Sequence, residues 1–184
     1  MKTYLSADEY LRDIWRLAAS VRASEWRPDL ILALWRGGAP VGVAVHEFLR
    51  ESGWTVDHLP LKCASYSGIG KNEGDVVFSL GEAVFAAIGK GLKVLVADDV
   101  FDTGKTAAAV MKRLADAGAE ARFAAVYWKP EKNQTNLKPD YFVKNTDNSW
   151  IVFPHEINGL TAREIEEKDP FLAAQLQNFN SMRA

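Results

Sequence analysis

Thirteen consecutive residues, Val94–Thr106, hold the side chains best suited to chemistry. Four apolar residues, Val94-Leu95-Val96-Ala97, lead through Asp98, Asp99 and Asp102 into Thr103-Gly104-Lys105-Thr106, where a helical stretch begins. The two ends of this segment favour different partners. At the Thr103–Thr106 end, free backbone amides, two hydroxyls and the positive pole of a helix make an anion site suited to a phosphate. The Asp98-Asp99 end offers acceptors, which suit sugar hydroxyls or hydrated Mg²⁺ rather than another anion. A ligand with a phosphate at one end and a ribose diol at the other satisfies both. A Walker A loop is excluded, because no glycine stands five residues before Gly104.

The surrounding pattern predicts how these residues are carried. Ser6-Ala7-Asp8-Glu9 reads as a capping box, followed by Leu11, Ile14, Trp15, Ala18 and Val21 at helical spacing. Leu30–Leu34 is a short continuous apolar run, as in a strand buried on both faces, and Arg36-Gly37-Gly38 follows it before a helical Val41–Arg50. Val56–Lys62 is a second strand and Lys93–Ala97 the clearest one. Asp98–Gly104 reads as a polar turn, and Lys105–Ala117 as a helix that stops at Gly118. Arg122–Trp128, Tyr141–Val143 and Trp150–Phe153 complete the strands, with a loop at Lys129–Pro139. Ala64–Gly81 carries four glycines among polar residues without a sustained period, and is expected to be a functional loop. Thr161-Ala162-Arg163-Glu164 is a second capping box, opening one or two C-terminal helices. Strands alternating with helices predict an α/β fold with an open, mainly parallel sheet flanked by helices. The site then falls at the carboxyl end of a strand, where such sheets bind ligands.

The 184 residues fit one compact domain, 1–184. Hydrophobic residues at 48% and charged residues at 25% are a globular composition and argue against disorder. A net charge of −2 lacks the basic excess of a nucleic-acid-binding domain. A single cysteine, Cys63, excludes an internal disulfide framework and a cysteine-based zinc cage. With no apolar leader and no long apolar run, the expectation is a cytoplasmic protein with no membrane partner.

Val94–Thr106 resembles the phosphoribosyl-pyrophosphate (PRPP) signature of the type I phosphoribosyltransferases. The resemblance extends over roughly Leu30–Glu156, and is greatest to the short bacterial and archaeal xanthine/hypoxanthine/guanine enzymes. Leu34-Trp35-Arg36-Gly37-Gly38 is similar to the family's pyrophosphate loop, which implies a cis peptide at Trp35–Arg36. Ser65-Tyr66 resembles a pair on the family's mobile loop. Tyr127-Trp128-Lys129-Pro130 and Trp150-Ile151-Val152-Phe153-Pro154 resemble its purine-reading hood, expected from about residue 129 to 157, with a helical extension at 158–184 that has no counterpart.

The resemblance implies a role for each group. Arg36, Gly37, Gly38, Ser65 and Tyr66 would hold pyrophosphate, and Thr103, Gly104, Lys105 and Thr106 the 5′-phosphate. Asp98 and Asp99 would hold ribose or Mg²⁺, with Glu156 as a further metal ligand in place of the family's shorter acid. Asp102 would face purine N7 as general base, although an aspartate there also suits a helix cap. Lys129 would donate to an oxygen at purine C6, and so would select 6-oxopurines against adenine. Trp150 would stack on the base, and Ile151 would contribute backbone groups. A solvated lysine and a core aromatic are the plainer alternatives at Lys129 and Trp150.

The implied activity is purine salvage: transfer of phosphoribose from Mg²⁺–PRPP to xanthine, guanine or hypoxanthine, in a homodimer or homotetramer. Two alternatives stay open from the sequence, a PRPP-sensing regulator on the same fold and a transferase with a different acceptor base.

Overall fold

The computed structural model describes residues 1–65, 76–79 and 81–181. In chain order the elements are β1 (Lys2–Tyr4), α1 (Ala7–Ala23), β2 (Leu30–Trp35), α2 (Gly38–Glu51), β3 (Asp57–Ser65), β4 (Val76–Ser79), α3 (Gly81–Ala87), β5 (Lys93–Phe101), α4 (Lys105–Asp116), β6 (Glu120–Trp128), β7 (Tyr141–Asn145), β8 (Trp150–Val152), α5 (Ala162–Lys168) and α6 (Pro170–Ser181). They fall into two compact units, Leu11–Asn148 and Met1–Tyr10 with Ser149–Ala184. Among the described residues no helix is long and apolar enough to cross a membrane.

The larger unit is built on a six-stranded sheet in the order β4-β3-β2-β5-β6-β7. Every pairing is parallel except β3 with β4. The open, mainly parallel α/β sheet expected from the sequence is therefore present. Its two central strands are apolar almost without interruption, because helices cover both faces. On one face Leu30, Leu32, Leu34, Val94 and Val96 join one core with Phe85 of α3 and with Ala107, Val110 and Leu114 of α4. On the other, Gly42 brings α2 down onto Ile31 and Ala33.

A polar contact fixes α1 within this unit. Asp13 is 1% exposed, and its carboxylate accepts from Tyr127 Oη at 2.8 Å and pairs with Lys144 at 3.0 Å and Arg16 at 2.6 Å. Burial alone would raise the Asp13 pKa; Lys144, Tyr127 and Arg16 outweigh it and hold the group below the ordinary aspartate value.

Two sequence expectations need correction, and the strand expected at Tyr141–Val143 is present and runs on to Asn145. Asp98–Gly104 is not a turn throughout. β5 runs on to Phe101, because Val100 and Phe101 stay in register with Tyr127 and Trp128 of β6, so Asp98 and Asp99 are strand residues. Ala64–Gly81 is not one loop either, since Val76–Ser79 forms β4 against Lys62–Ser65 of β3. Ser65 ends β3, with its side chain outside the described residues, where Tyr66 and Lys71 also lie. Tyr141–Asn145 extends the main sheet as β7 beside β6.

In the smaller unit β1, which the sequence reading did not anticipate, pairs in parallel with β8, Lys2 opposite Trp150 and Tyr4 opposite Val152. Thr161 and Glu164 form the expected capping box at the start of α5. Glu164 also accepts from Lys2 at 2.7 Å, tying the first strand to that helix. That bond, reinforced by the backbone and hydroxyl of Thr161, lowers the Glu164 pKa to about 2 from an ordinary 4.5. The carboxylate thus stays charged in the folded chain at pH values where it protonates in an unfolded one. Its stabilising effect is complete above about pH 4.5 and fades as pH falls toward 2. Glu164→Gln is therefore expected to lower the Tm at pH 7 and to leave it close to wild type near pH 2, measured by thermal unfolding at both values.

Candidate active site

Three strand ends meet at the carboxyl edge of the larger unit's sheet. The first is the turn after β2. The Trp35–Arg36 peptide is cis, as the resemblance implied, and Trp35 and Arg36 are both exposed. Gly37 and Gly38 then lie directly on the end of β5. A Cβ at Gly37 would fall on the Asp99 carboxylate, and one at Gly38 on the Ala97 carbonyl oxygen. Only glycine permits this approach. Gly37 is also the N-cap of α2 and supplies no side-chain bond, so the first amides of that helix are not capped by a side chain of the turn.

The second strand end is the expected phosphate segment. Gly104, at φ 77°, is the N-cap of α4, and as a glycine it supplies no side-chain cap bond. Asp102 is therefore not the helix cap, which settles one of the two readings open from the sequence. Asp98, Asp102, Thr103, Gly104 and Thr106, with Phe101 and Phe123, line a recess of about 70 Å³ that opens to solvent. Lys105 is exposed, and its backbone amide donates to Thr103 Oγ1 at 3.4 Å.

Asp98 and Asp99 stand side by side on β5. The Asp99 amide donates to Asp98 Oδ1 at 3.0 Å and the Val100 amide to Asp99 Oδ1 at 2.7 Å. Removal from water, and then the Asp99 charge, hold the Asp98 carboxyl well above the usual range. A divalent cation would relieve that repulsion, and the hard oxygen donors suit Mg²⁺. Among the described residues no group of three histidine, cysteine or acidic side chains is placed to hold a metal. Cys63 is half-buried, and burial, with a contribution from Asp98, pushes its thiol up to about 12.

The third strand end carries Lys129, which is not the solvated loop lysine the sequence allowed. It is 4% exposed, and its Nζ lies 3.8 Å from Asp102 Oδ2. Burial lowers the Lys129 pKa; Asp102 pulls part of the shift back, and Lys132 adds to it. The other oxygen, Asp102 Oδ1, is buried and has no hydrogen-bond partner among the described residues. The Asp102 carboxylate thus has one oxygen beside a buried ammonium and the other withdrawn from solvent.

Sequence reasoning missed the segment that fixes this pair. The Lys129 amide donates to the Phe101 carbonyl at 3.0 Å, and the Gln134 amide to the Thr103 carbonyl at 2.9 Å. Asn133 and Thr135 side chains close over Gly104, where a Cβ would strike them. Between these anchors, a short 3₁₀ turn at Pro130–Lys132 brings Lys132 Nζ to 3.4 Å from Asp102 Oδ2. Glu131-Lys132-Asn133-Gln134-Thr135 does not mark this docking in the sequence, because the two bonds that anchor the segment to Phe101 and Thr103 run between backbone atoms.

Trp150, Ile151 and Glu156 belong to the smaller unit. Trp150 is 56% exposed, which removes the core-aromatic alternative, while Ile151 is buried. The Phe153 amide donates to Glu156 Oε2 at 3.4 Å, and Lys168 donates to the carbonyls of Phe153 and Glu156.

The larger unit is thus an α/β sheet with glycine turns after two adjacent strands, carboxylates on one and a buried lysine on the next, at the strand ends where such sheets bind ligands. The phosphoribosyl transferase domain family model matches residues 2–158, and the chain belongs to that family. It is 31% identical over 132 residues to the hypoxanthine-guanine phosphoribosyltransferase of Lactococcus lactis subsp. lactis (strain IL1403), covering 70% of this chain and 67% of the relative. It is similar to the crystal structure of a purine phosphoribosyltransferase from Pyrococcus horikoshii Ot3, with a TM-score of 0.68, 30% identity and coverage of 87% of this chain and 97% of the other. A hypothetical protein from Neisseria gonorrhoeae, solved with bound ppGpp, shares the fold at a TM-score of 0.71 and 21% identity, covering 91% of this chain and 93% of the other.

The close seat of the β2 turn gives a direct test. Gly38→Ala forces a methyl group against a backbone carbonyl that cannot turn aside, an overpacking cost of about 1–3 kcal/mol. A Tm several degrees below wild type in differential scanning calorimetry is the expected outcome, and an unchanged Tm would show that the turn is not held against β5.

Proposed function

We propose that the chain catalyses purine salvage: it transfers 5-phosphoribose from Mg²⁺–PRPP to a 6-oxopurine and releases pyrophosphate. One observation supports the acceptor: the buried Lys129 ammonium lies 3.8 Å from the half-exposed Asp102 carboxylate at the end of adjacent strands. A 6-oxopurine presents its C6 oxygen next to N7 on a single edge. The lysine donates to the oxygen, and the carboxylate accepts the proton carried on N7. An amino group at C6 offers no acceptor of this kind, which disfavours adenine.

The remaining roles follow from the chemistry of the groups. Arg36 with the amides of Gly37 and Gly38 neutralises pyrophosphate as it leaves, and Thr103–Thr106 hold the 5′-phosphate at the start of α4. Asp98 and Asp99 take the ribose hydroxyls and the Mg²⁺ ion, which when bound offsets charge on the departing pyrophosphate. In the smaller unit we assign Trp150 to stacking on the base, Ile151 to backbone contacts and Glu156 to metal. Ser65 and Tyr66 are assigned to pyrophosphate. The reading treats residues 1–184 as one catalytic domain.

Two variants separate these roles. Lys129→Ala is expected to lower turnover with guanine, xanthine and hypoxanthine while leaving the Mg²⁺–PRPP-induced thermal shift in place; loss of that shift would move Lys129 to the PRPP side. Asp102→Asn keeps the size of the side chain but removes its basicity, and is expected to lower kcat by about 10²–10⁴-fold. Fold stability should hold, since the α4 cap is Gly104. A wild-type protein that shifts with Mg²⁺–PRPP but turns over no purine would instead identify a sensor.

A further inference from the structure

We propose that Lys168 is a positioning residue for base binding: from α5 it fixes the turn that follows β8, and so sets the backbone that carries Trp150 and Ile151. This rests on the purine reading above, which assigns those two residues to the base. β1 and β8 are three residues each, and a two-stranded ribbon of that size is marginal in water by itself. Two further bonds close its ends, from the Trp150 amide to the Met1 carbonyl at 3.0 Å and from the Leu5 amide to the Val152 carbonyl at 3.1 Å. Past Val152 the chain turns at once. The Glu156 amide donates to the Phe153 carbonyl at 3.0 Å, and the Phe153 amide to Glu156 Oε2 at 3.4 Å. Phe153 itself is buried, its ring centroid 4.9 Å from that of Tyr10.

Lys168 joins this turn from a helix that lies beyond the family model's match at residues 2–158. Its Nζ donates to the Phe153 carbonyl at 2.7 Å and also to the Glu156 carbonyl, so one ammonium bridges both ends of the turn. Glu164 stands one helical turn earlier on the same face of α5, and accepts from Lys2 of β1 at 2.7 Å. The helix therefore grips both strands of the ribbon, with an acid on β1 and a base on the chain leaving β8. The Thr161 capping box fixes where α5 starts, and with it the level of both side chains. The two grips differ in kind. Lys2 and Glu164 join side chain to side chain, and their rotamers absorb small displacements. Lys168 bonds main-chain oxygens, which move only with their peptides. A shift at Phe153 is thus passed to the backbone of Ile151, two residues upstream, and on to Trp150.

The test compares Lys168→Met, which keeps the apolar stem and removes the donors, with Lys168→Arg, which retains donors, in the full chain. In steady-state kinetics with guanine, xanthine and hypoxanthine, Lys168→Met is expected to raise the KM for the base about 10-fold, within the roughly 10²-fold that a misplaced contact group can cost. The KM for PRPP should stay close to wild type, and Lys168→Arg should recover most of the base KM. A base KM at the wild-type value in Lys168→Met overturns the inference, as does a rise of both KM values together, the mark of a merely structural loss. Amide hydrogen exchange without substrates gives a second reading. The Trp150 and Glu156 amides should exchange faster in Lys168→Met, with those of β2 and β5 unchanged; unaltered exchange at Trp150 and Glu156 also overturns the positioning role. If Lys168→Met does not fold, both readings are taken on Lys168→Gln, whose shorter neutral arm cannot bridge the turn as an ammonium does. A wild-type protein without turnover on any 6-oxopurine would defeat the purine reading alone, and the exchange measurement would still decide whether Lys168 fixes the turn.

Discussion

The absence of two side chains governs this site. At Gly37 and Gly38 the β2 turn touches the end of β5 so closely that not one carbon fits between them. This contact sets backbone amides, which attract anions, against carboxylates, which attract cations and hydroxyls. Neither group could be placed so near the other by long side chains, whose rotamer freedom would have to be lost at each occupation. Backbone on backbone loses nothing further when a ligand arrives. The raised pKa of Asp98 follows from that crowding, first through removal of its carboxyl from water and then through the neighbouring Asp99 charge.

The base end is organised by a different means. Lys129 lies on the strand next to β5, and its segment returns to the phosphate turn by two backbone bonds. The residue that would read the base and the residues that would hold the sugar phosphate thus belong to one hydrogen-bonded assembly rather than to two loops that meet by chance. Asp102, at the centre, has two lysines near one oxygen and holds the other out of solvent.

Much of this was legible in the sequence, and for identifiable reasons. Leu30–Leu34 and Val94–Ala97 announce buried parallel strands because both faces of such strands are covered. Gly104 and the Thr161–Glu164 box mark helix starts through local backbone needs that neighbouring residues satisfy. Asp98 and Asp99 were misread as turn residues, since two adjacent aspartates ordinarily oppose a strand, and only pairing with β6 overrides that preference. β1 is three residues long, too short for any periodicity, and exists through its partner β8. The β4 strand lies in a glycine-rich setting that hides it. Lys132 was invisible for a further reason: its meaning depends on a turn whose anchors are carbonyls thirty residues away, and such bonds leave no mark on side-chain identity.

The paired anchors at Lys129 and Gln134 also make a ruler of the chain between them. Four residues span the distance from the carbonyl before Asp102 to the carbonyl after it, and that distance is fixed by β5 and the start of α4. Within 130–133 the length is therefore invariant: one residue more or fewer would detach an anchor or carry Lys132 away from its carboxylate. Beyond Thr135 the constraint relaxes, because the path to β7 need only arrive at Tyr141 in register with Ala124. Variation in loop length among proteins built on this plan should accordingly collect after the second anchor, so that one connection contains both a rigid gauge and an adjustable remainder.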